Sequence, residues 1–333
     1  RRGDRMRRRG FIALVGGAAA WPLVARAQRD ERVRRIGVLI NFPENDLVSE
    51  ARLAAFRKAL QELGWTDGQN LRIEVRWGSD TNRVLKSAAE LVANPQDILL
   101  AVGPPSVLAV RQLSQTVPIV FLAVTDPVGL GLVQSLARPG SNATGFTPAA
   151  EFSTSAKWLE LLREIAPAVR QVSVLREPSN PSAMAQFAAV QTAANTLGME
   201  LIPLGLRDAN EIERGLSAFA RSPNSGLIIT RTSEAIAHRD LIITLAARYR
   251  LPAVFPLRDF VTSGGLISYG PDVVVQFRQA AAYVDRILKG ERAADLPVQA
   301  PTRYEMVINL KTAKTLGLEI PPTVLARADE VIE

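Results

Sequence analysis

One histidine and no cysteine narrow the chemistry open to this 333-residue chain. His238 sits in the helical stretch "SEAIAHRDLIITLAARYR", on the side read as solvent-facing, and no G-x-S-x-G nucleophile turn occurs. No His/Asp/Glu cluster has metal-ligand spacing, and without cysteine there is no thiolate site, disulfide or lipid anchor on sulfur. Gly129-Leu130-Gly131 begins like a dinucleotide fingerprint, but the third glycine position holds Gln134. A G-x-x-x-x-G-K-[ST] phosphate loop is absent. The expectation is a chain without catalytic residues, metal or cofactor.

What remains is a set of polar residues placed just after apolar runs. Asn41-Phe42 follows "IGVLI", Gly103-Pro104-Pro105-Ser106 follows "DILLAV", and Thr125-Asp126 follows "PIVFLAV". Ser179-Asn180 follows "QVSVL" by a few residues, Thr230-Arg231 closes "GLIIT", and Arg258-Asp259 follows "PAVFP". In open parallel sheets ligands bind beyond the carboxyl ends of the strands, so these residues are candidate ligand contacts. Ser106 opens a helix, where a hydroxyl and backbone N–H groups would hold a carboxylate. Ser106, Asp126 and Asn180 read equally well as plain helix caps. Phe42, Phe255 and Tyr269 would either wall an apolar pocket or pack in the core.

The elements that must position them alternate regularly. Strands are expected at 36–40, 71–75, 97–103 and 118–124, then at 171–175, 201–206, 226–230 and 252–256. Most are continuously apolar, as parallel strands covered on both faces are. Between them Leu53, Phe56, Leu60 and Leu63 mark an amphipathic helix, and Asp208 with Glu211 forms a capping box. Asp126-Pro127 predicts the start of a short helix that "VQSLARPG" ends, and Asn180-Pro181 predicts another helix start. Two (βα) sets of four strands follow, an α/β protein of two Rossmann-like doubly wound lobes. The boundary is expected near 145–153. "GGLISYG" (264–270) and a helix over 273–289 add a tail that must pack on both lobes.

The net charge of +7 resembles a nucleic-acid signal, but residues 1–27 carry seven arginines and one aspartate. The rest is nearly neutral at +1, with no basic stripe for a phosphate backbone. Residues 1–27 read as a signal peptide: Arg7-Arg8-Arg9, the weakly apolar "FIALVGGAAAWPLV", then Ala25-Arg26-Ala27. Arg8-Arg9-Gly10-Phe11-Ile12 is similar to a twin-arginine export signal. Cleavage after Ala27 and a periplasmic location are the expectation.

From Arg34 onward the chain resembles the ABC-transporter substrate-binding proteins of the tryptophan/tyrosine-binding type, which have the type I periplasmic binding protein fold. The blocks that carry it include "PIVFLAVTDPVGLGLVQSLARPGSNATGF", "KWLELLREIAP" and "LAARYRLPAVFPLRDFVTSGGLISYGPD". A fourth runs from "AAAYVDRILKGERAADLPVQAPTRYEM" to the end. The resemblance implies lobes of 33–148 plus about 268–291 and 149–267 plus about 292–333, joined by a multi-crossover hinge. It implies a monomer closing on a small-molecule ligand and docking on an ABC permease with a separate ATPase. A sensor or docking subunit of the same fold is the alternative. The ligand-facing loops it implies lie around Ser106, Thr125-Asp126, Asn142 to Thr144, Glu177 to Ser179-Asn180, Thr230 and Asp259; Asn41 and Tyr269 join them as candidate ligand contacts from the reading of the residues above. The usual family turn Gly-Thr/Ser-Pro is here Gly103-Pro104-Pro105-Ser106.

Overall fold

The computed structural model describes residues 32–148 and 151–333; the leader read over 1–27 lies outside them. The first lobe runs β1 (Arg34–Ile40), α1 (Leu47–Glu62), β2 (Leu71–Trp77), α2 (Thr81–Ala93) and β3 (Ile98–Val102). It continues through α3 (Pro104–Leu113), β4 (Ile119–Leu122) and β5 (Ala143–Gly145). These strands pair in parallel in the order β2-β1-β3-β4-β5. β3, and β1 from Ile36 onward, carry no polar side chain because helices cover both faces, and Ile36 pairs with both Ile73 and Ile98. α1 starts where the Asp46 carboxylate accepts from the Ser49 N–H at 2.8 Å. It buries Leu53, Phe56 and Leu60 against β1 and the later helix α10 (Val273–Leu288). Phe56 is fully buried, so truncation to alanine there would cost about 3–5 kcal/mol.

The second lobe holds α4 (Glu151–Ile165), β6 (Gln171–Arg176), α5 (Pro181–Leu197), β7 (Glu200–Gly205) and α6 (Ala209–Phe219). β8 (Ser225–Ile229), α7 (Ser233–Ala237), α8 (Arg239–Arg248), β9 (Ala253–Phe255), α9 (Arg258–Thr262) and β10 (Ile267–Pro271) follow. After α10 come β11 (Tyr304–Asn309), α11 (Leu310–Leu316), α12 (Pro322–Leu325) and β12 (Glu330–Ile332). The sheet order is β12-β11-β10-β9-β8-β6-β7, parallel except where β10 meets β11. The expected sets of four strands are thus sheets of five and seven. β5 is too short to show a pattern, and β11 and β12 are broken by charged residues.

The chain crosses between lobes after β5, after β10 and again before β11. β10 pairs with β9 and β11, so the return to the first lobe begins at Asp272 rather than at 268. Residues 292–299 also stay with the first lobe, contrary to the expected boundary. Ala293 and Leu296 complete its core, and Gln299 bridges Phe146 beside β5. Apolar closure, not the end of α10, sets the last crossing. Among the described residues no helix is long and apolar enough to cross a membrane.

Candidate ligand-binding site

The carboxyl ends of both sheets face each other across a cleft. Its inner part is a chamber of about 80 Å³. The first lobe lines it with Asn41 and Phe42 after β1, Gly103 after β3, and Ala123 and Thr125 after β4. α1 contributes Arg52, and the crossover helix α10 contributes Gln276 and Phe277. The second lobe supplies Asn180 and Ser182 at the start of α5, Arg231 to Ser233 after β8, Ile236 and Leu257. An outer vestibule of about 540 Å³ shares Asn41, Phe42, Ser233 and Ile236 with the chamber. That volume is within the range of ordinary small-molecule sites, about 300–1,000 Å³.

Local backbone conformations place these groups. Gly103 has φ +82°, and a Cβ there would lie 2.5 Å from Asn41 Oδ1. Glycine thus lets the Asn41 side chain lie against the loop. Ala123 also has positive φ, 59°, a conformation that costs a non-glycine residue about 1–3 kcal/mol and marks a constrained loop at the cleft. Arg231 is fixed through its backbone, whose N–H donates to Gln186 Oε1 at 2.8 Å. Thr232 caps α7 by accepting from the Ala235 N–H at 3.1 Å.

Two ion pairs tie the lobes across this space. Arg52 on α1 pairs with Asp259 on α9. Arg239 of α8 reaches Asp46, the cap of α1, at 3.8 Å. Two carboxyl groups, Glu234 of α7 and Glu177 after β6, share a hydrogen bond at the vestibule's second-lobe side. Burial, then the hydrogen bond and charge of Glu177, push the Glu234 carboxyl up to about 7. The Glu177 carboxylate also accepts from Ser179 Oγ at 3.1 Å and Asn180 Nδ2 at 3.2 Å.

The residues singled out from the sequence separate into three groups. Asn41, Thr125 and Asn180 line the chamber, and Asp259 stands beside it holding Arg52. Asn180 is also a cap, accepting from the Ser182 and Ala183 N–H groups. Ser106 is fully buried with no partner for its hydroxyl, and Ser179 is exposed and donates to Glu177. The remainder do not face the cleft. Asn142 precedes β5, at the amino edge of its sheet, donating to Val117 O at 2.7 Å and accepting from Arg111. Thr144 is buried and donates to Leu296 O, and buried Thr230 donates to Leu175 O at 2.9 Å. Tyr269 stacks on Tyr304 at 6.0 Å, its carbonyl accepting from Trp158 Nε1. Phe255 stacks on Phe260 in the core.

Asp126 opens no helix. It is exposed and accepts from the Gly129 N–H at 2.7 Å, holding a run of turns. The glycines and Pro139 spread through this segment favour turns over helix propagation. His238 sits at the break between α7 and α8 and lines the vestibule rather than facing open solvent.

Sequence reasoning missed Arg52 and Gln276 as site residues. Both carry a legible signal, since each is a polar residue on the buried face of an amphipathic helix. Arg52 stands one turn before Phe56, and Gln276 one turn before Ala280. Among the described residues no group of three or more His, Cys, Asp or Glu side chains is arranged to hold a metal ion.

Known proteins share this two-lobed architecture. The curated "Tyrosine-binding protein" of Clostridioides difficile (strain R20291) is 25% identical over 292 residues, 87% of this chain and 82% of that protein. A crystal structure of a conserved domain protein from Vibrio cholerae O1 biovar El Tor superposes with a TM-score of 0.79. It is 26% identical and covers 90% of this chain and 100% of that one. An ABC domain in complex with L-Trp from Streptococcus pneumonia gives a TM-score of 0.80 at 24% identity, over 90% of this chain and 99% of that one. The two parallel-sheet lobes are those of a type I periplasmic binding protein. The family described as "ABC transporter substrate binding protein" matches residues 36–332, nearly all of the described residues, and the protein belongs to it.

Proposed function

We propose that this chain is the periplasmic solute-binding component of an ABC importer, exported by the leader at 1–27 with cleavage after Ala27. It captures a small organic solute, an amino acid or a small aromatic or organic acid, between its lobes and delivers it to a permease with a separate ATPase. It acts as a monomer and carries out no chemistry on the solute. The observation that carries the reading is a partly apolar chamber whose walls come from both lobes, so a ligand would bind the closed arrangement more tightly than the open one. The names of the relatives, one tyrosine-binding and one complexed with L-Trp, support an amino acid as one candidate solute.

Thermal shift and calorimetry of the purified protein against amino-acid and organic-acid libraries test it. At least one compound should bind with 1:1 stoichiometry and shrink the radius of gyration in solution scattering. No binder across broad libraries would overturn the reading. A leader–reporter fusion appearing outside the inner membrane tests export, and cytoplasmic retention would overturn it.

A further inference from the structure

The cleft has two compartments of very different size. The inner chamber, at about 80 Å³, falls well below the roughly 300 Å³ at which ordinary small-molecule sites begin. It is too small for a whole amino acid with its side chain, so a solute that uses it must extend into the 540 Å³ vestibule. The compartments meet at a neck of Asn41 and Phe42 from the first lobe and Ser233 and Ile236 from the second. Ile236 packs against the first-lobe core cluster to which Phe42 belongs, so contact between the lobes forms the neck.

The two compartments also differ in what they can read. In the chamber wall Gln276 is 3% exposed, and its Nε2 amide has no partner in the protein. Arg52 beside it is already engaged by Asp259. A buried donor left unpaired is costly, and an oxygen acceptor brought by the solute removes that cost. In the vestibule the charged groups are largely spent within the protein. Asp46 caps α1, Asp80 caps α2, and Arg239 pairs with Asp240 at 3.2 Å. A site that hydrogen-bonds an oxygen rejects analogues lacking it far more strongly than an open wall rejects a larger side chain.

Building on the solute-binding reading, whose amino and organic acids share a carboxylate, we infer that the solute binds head first. Its carboxylate enters the chamber and accepts from Gln276 Nε2, and its side chain passes between Phe42 and Ile236 into the vestibule. Gln276 selects the head group, while the vestibule tolerates side chains from isobutyl to indole.

Calorimetry on protein stripped of ligand by unfolding and refolding tests this with two series and two amines. One series is L-leucine, L-phenylalanine and L-tryptophan; the other is 4-methylpentanoate, 3-phenylpropionate and indole-3-propionate. Phenethylamine and tryptamine lack the carboxylate. Within a series that binds, the three affinities should lie within ten-fold of one another, and the amines should bind at least ten-fold more weakly than any of them. Gln276→Leu should weaken all three at least ten-fold, by a similar factor, without lowering the Tm of the ligand-free protein. Ala237→Trp, at an exposed position in the vestibule wall, should weaken the indole member at least ten-fold more than the isobutyl member. A wider spread within the series, an amine that binds as tightly, affinities unmoved by Gln276→Leu, or equal losses in Ala237→Trp would each overturn the inference alone. A library compound that binds while both series stay silent has the same consequence. Silence from the series and from broad libraries overturns the solute-binding reading with it.

Discussion

The Arg52 guanidinium on the first lobe meets the Asp259 carboxylate on the second, with the two side chains only 8% and 18% exposed. The pair spans the cleft that the lobes enclose, so it is a contact of the closed arrangement. Removing one member of a buried pair strands the other charge, at about 3 kcal/mol. Asp259→Asn should lower the Tm of the ligand-free protein and raise its radius of gyration in solution scattering. The double variant Arg52→Met/Asp259→Leu should recover most of the Tm. A single variant with unchanged scattering would mean that the pair does not hold the lobes together.

Asn142→Ala should leave ligand affinity unchanged and cost about 1–2 kcal/mol of stability in denaturant unfolding. The side chain links Arg111, the loop before β4 and the start of β5, all at the amino edge of the first sheet. A loss of affinity larger than the loss of stability would place it functionally in the cleft after all.

Asn142 also shows where sequence reading stops. The apolar runs marked the interior strands, where burial on both faces writes itself into consecutive residues, and the half-covered edge strands β2 and β7 showed through alternation or short apolar runs. The loops beyond them held Asn41, Thr125, Asn180 and Arg231, which the fold gathers into one chamber. The family blocks, by contrast, drew attention to "SNATG", whose polar side chains brace the lobe. Thr144 is completely buried against the returning Leu296 carbonyl, a partner 152 residues away that no local pattern announces. Gln276 carried a local signal, a polar residue on a buried helix face, but its place in the chamber follows only from the second crossing, which returns its helix to the first lobe.

Gly145→Ala should prevent folding or destabilise by more than about 3 kcal/mol. A Cβ at Gly145 would lie 2.0 Å from the Phe121 carbonyl oxygen, which accepts from the Phe146 N–H at 2.9 Å. Relieving that clash means parting β5 from β4 where the chain leaves the lobe. Soluble protein with wild-type Tm would show that the edge strand yields without cost.

Glu234 sets a pH dependence with a definite sign. Its carboxyl is raised from 4.5 to about 7 in the folded protein, by burial first and then by Glu177. The folded state therefore holds a proton that the unfolded state has released, and stability falls as pH rises from about 4.5 to about 7, then levels off. Below that window both states are protonated at this site and the penalty vanishes. In Glu234→Gln the residue donates to Glu177 at every pH, which should remove the decline between pH 5 and 7 and raise Tm at pH 8. A variant whose Tm falls with pH as steeply as wild type would assign the dependence to another group.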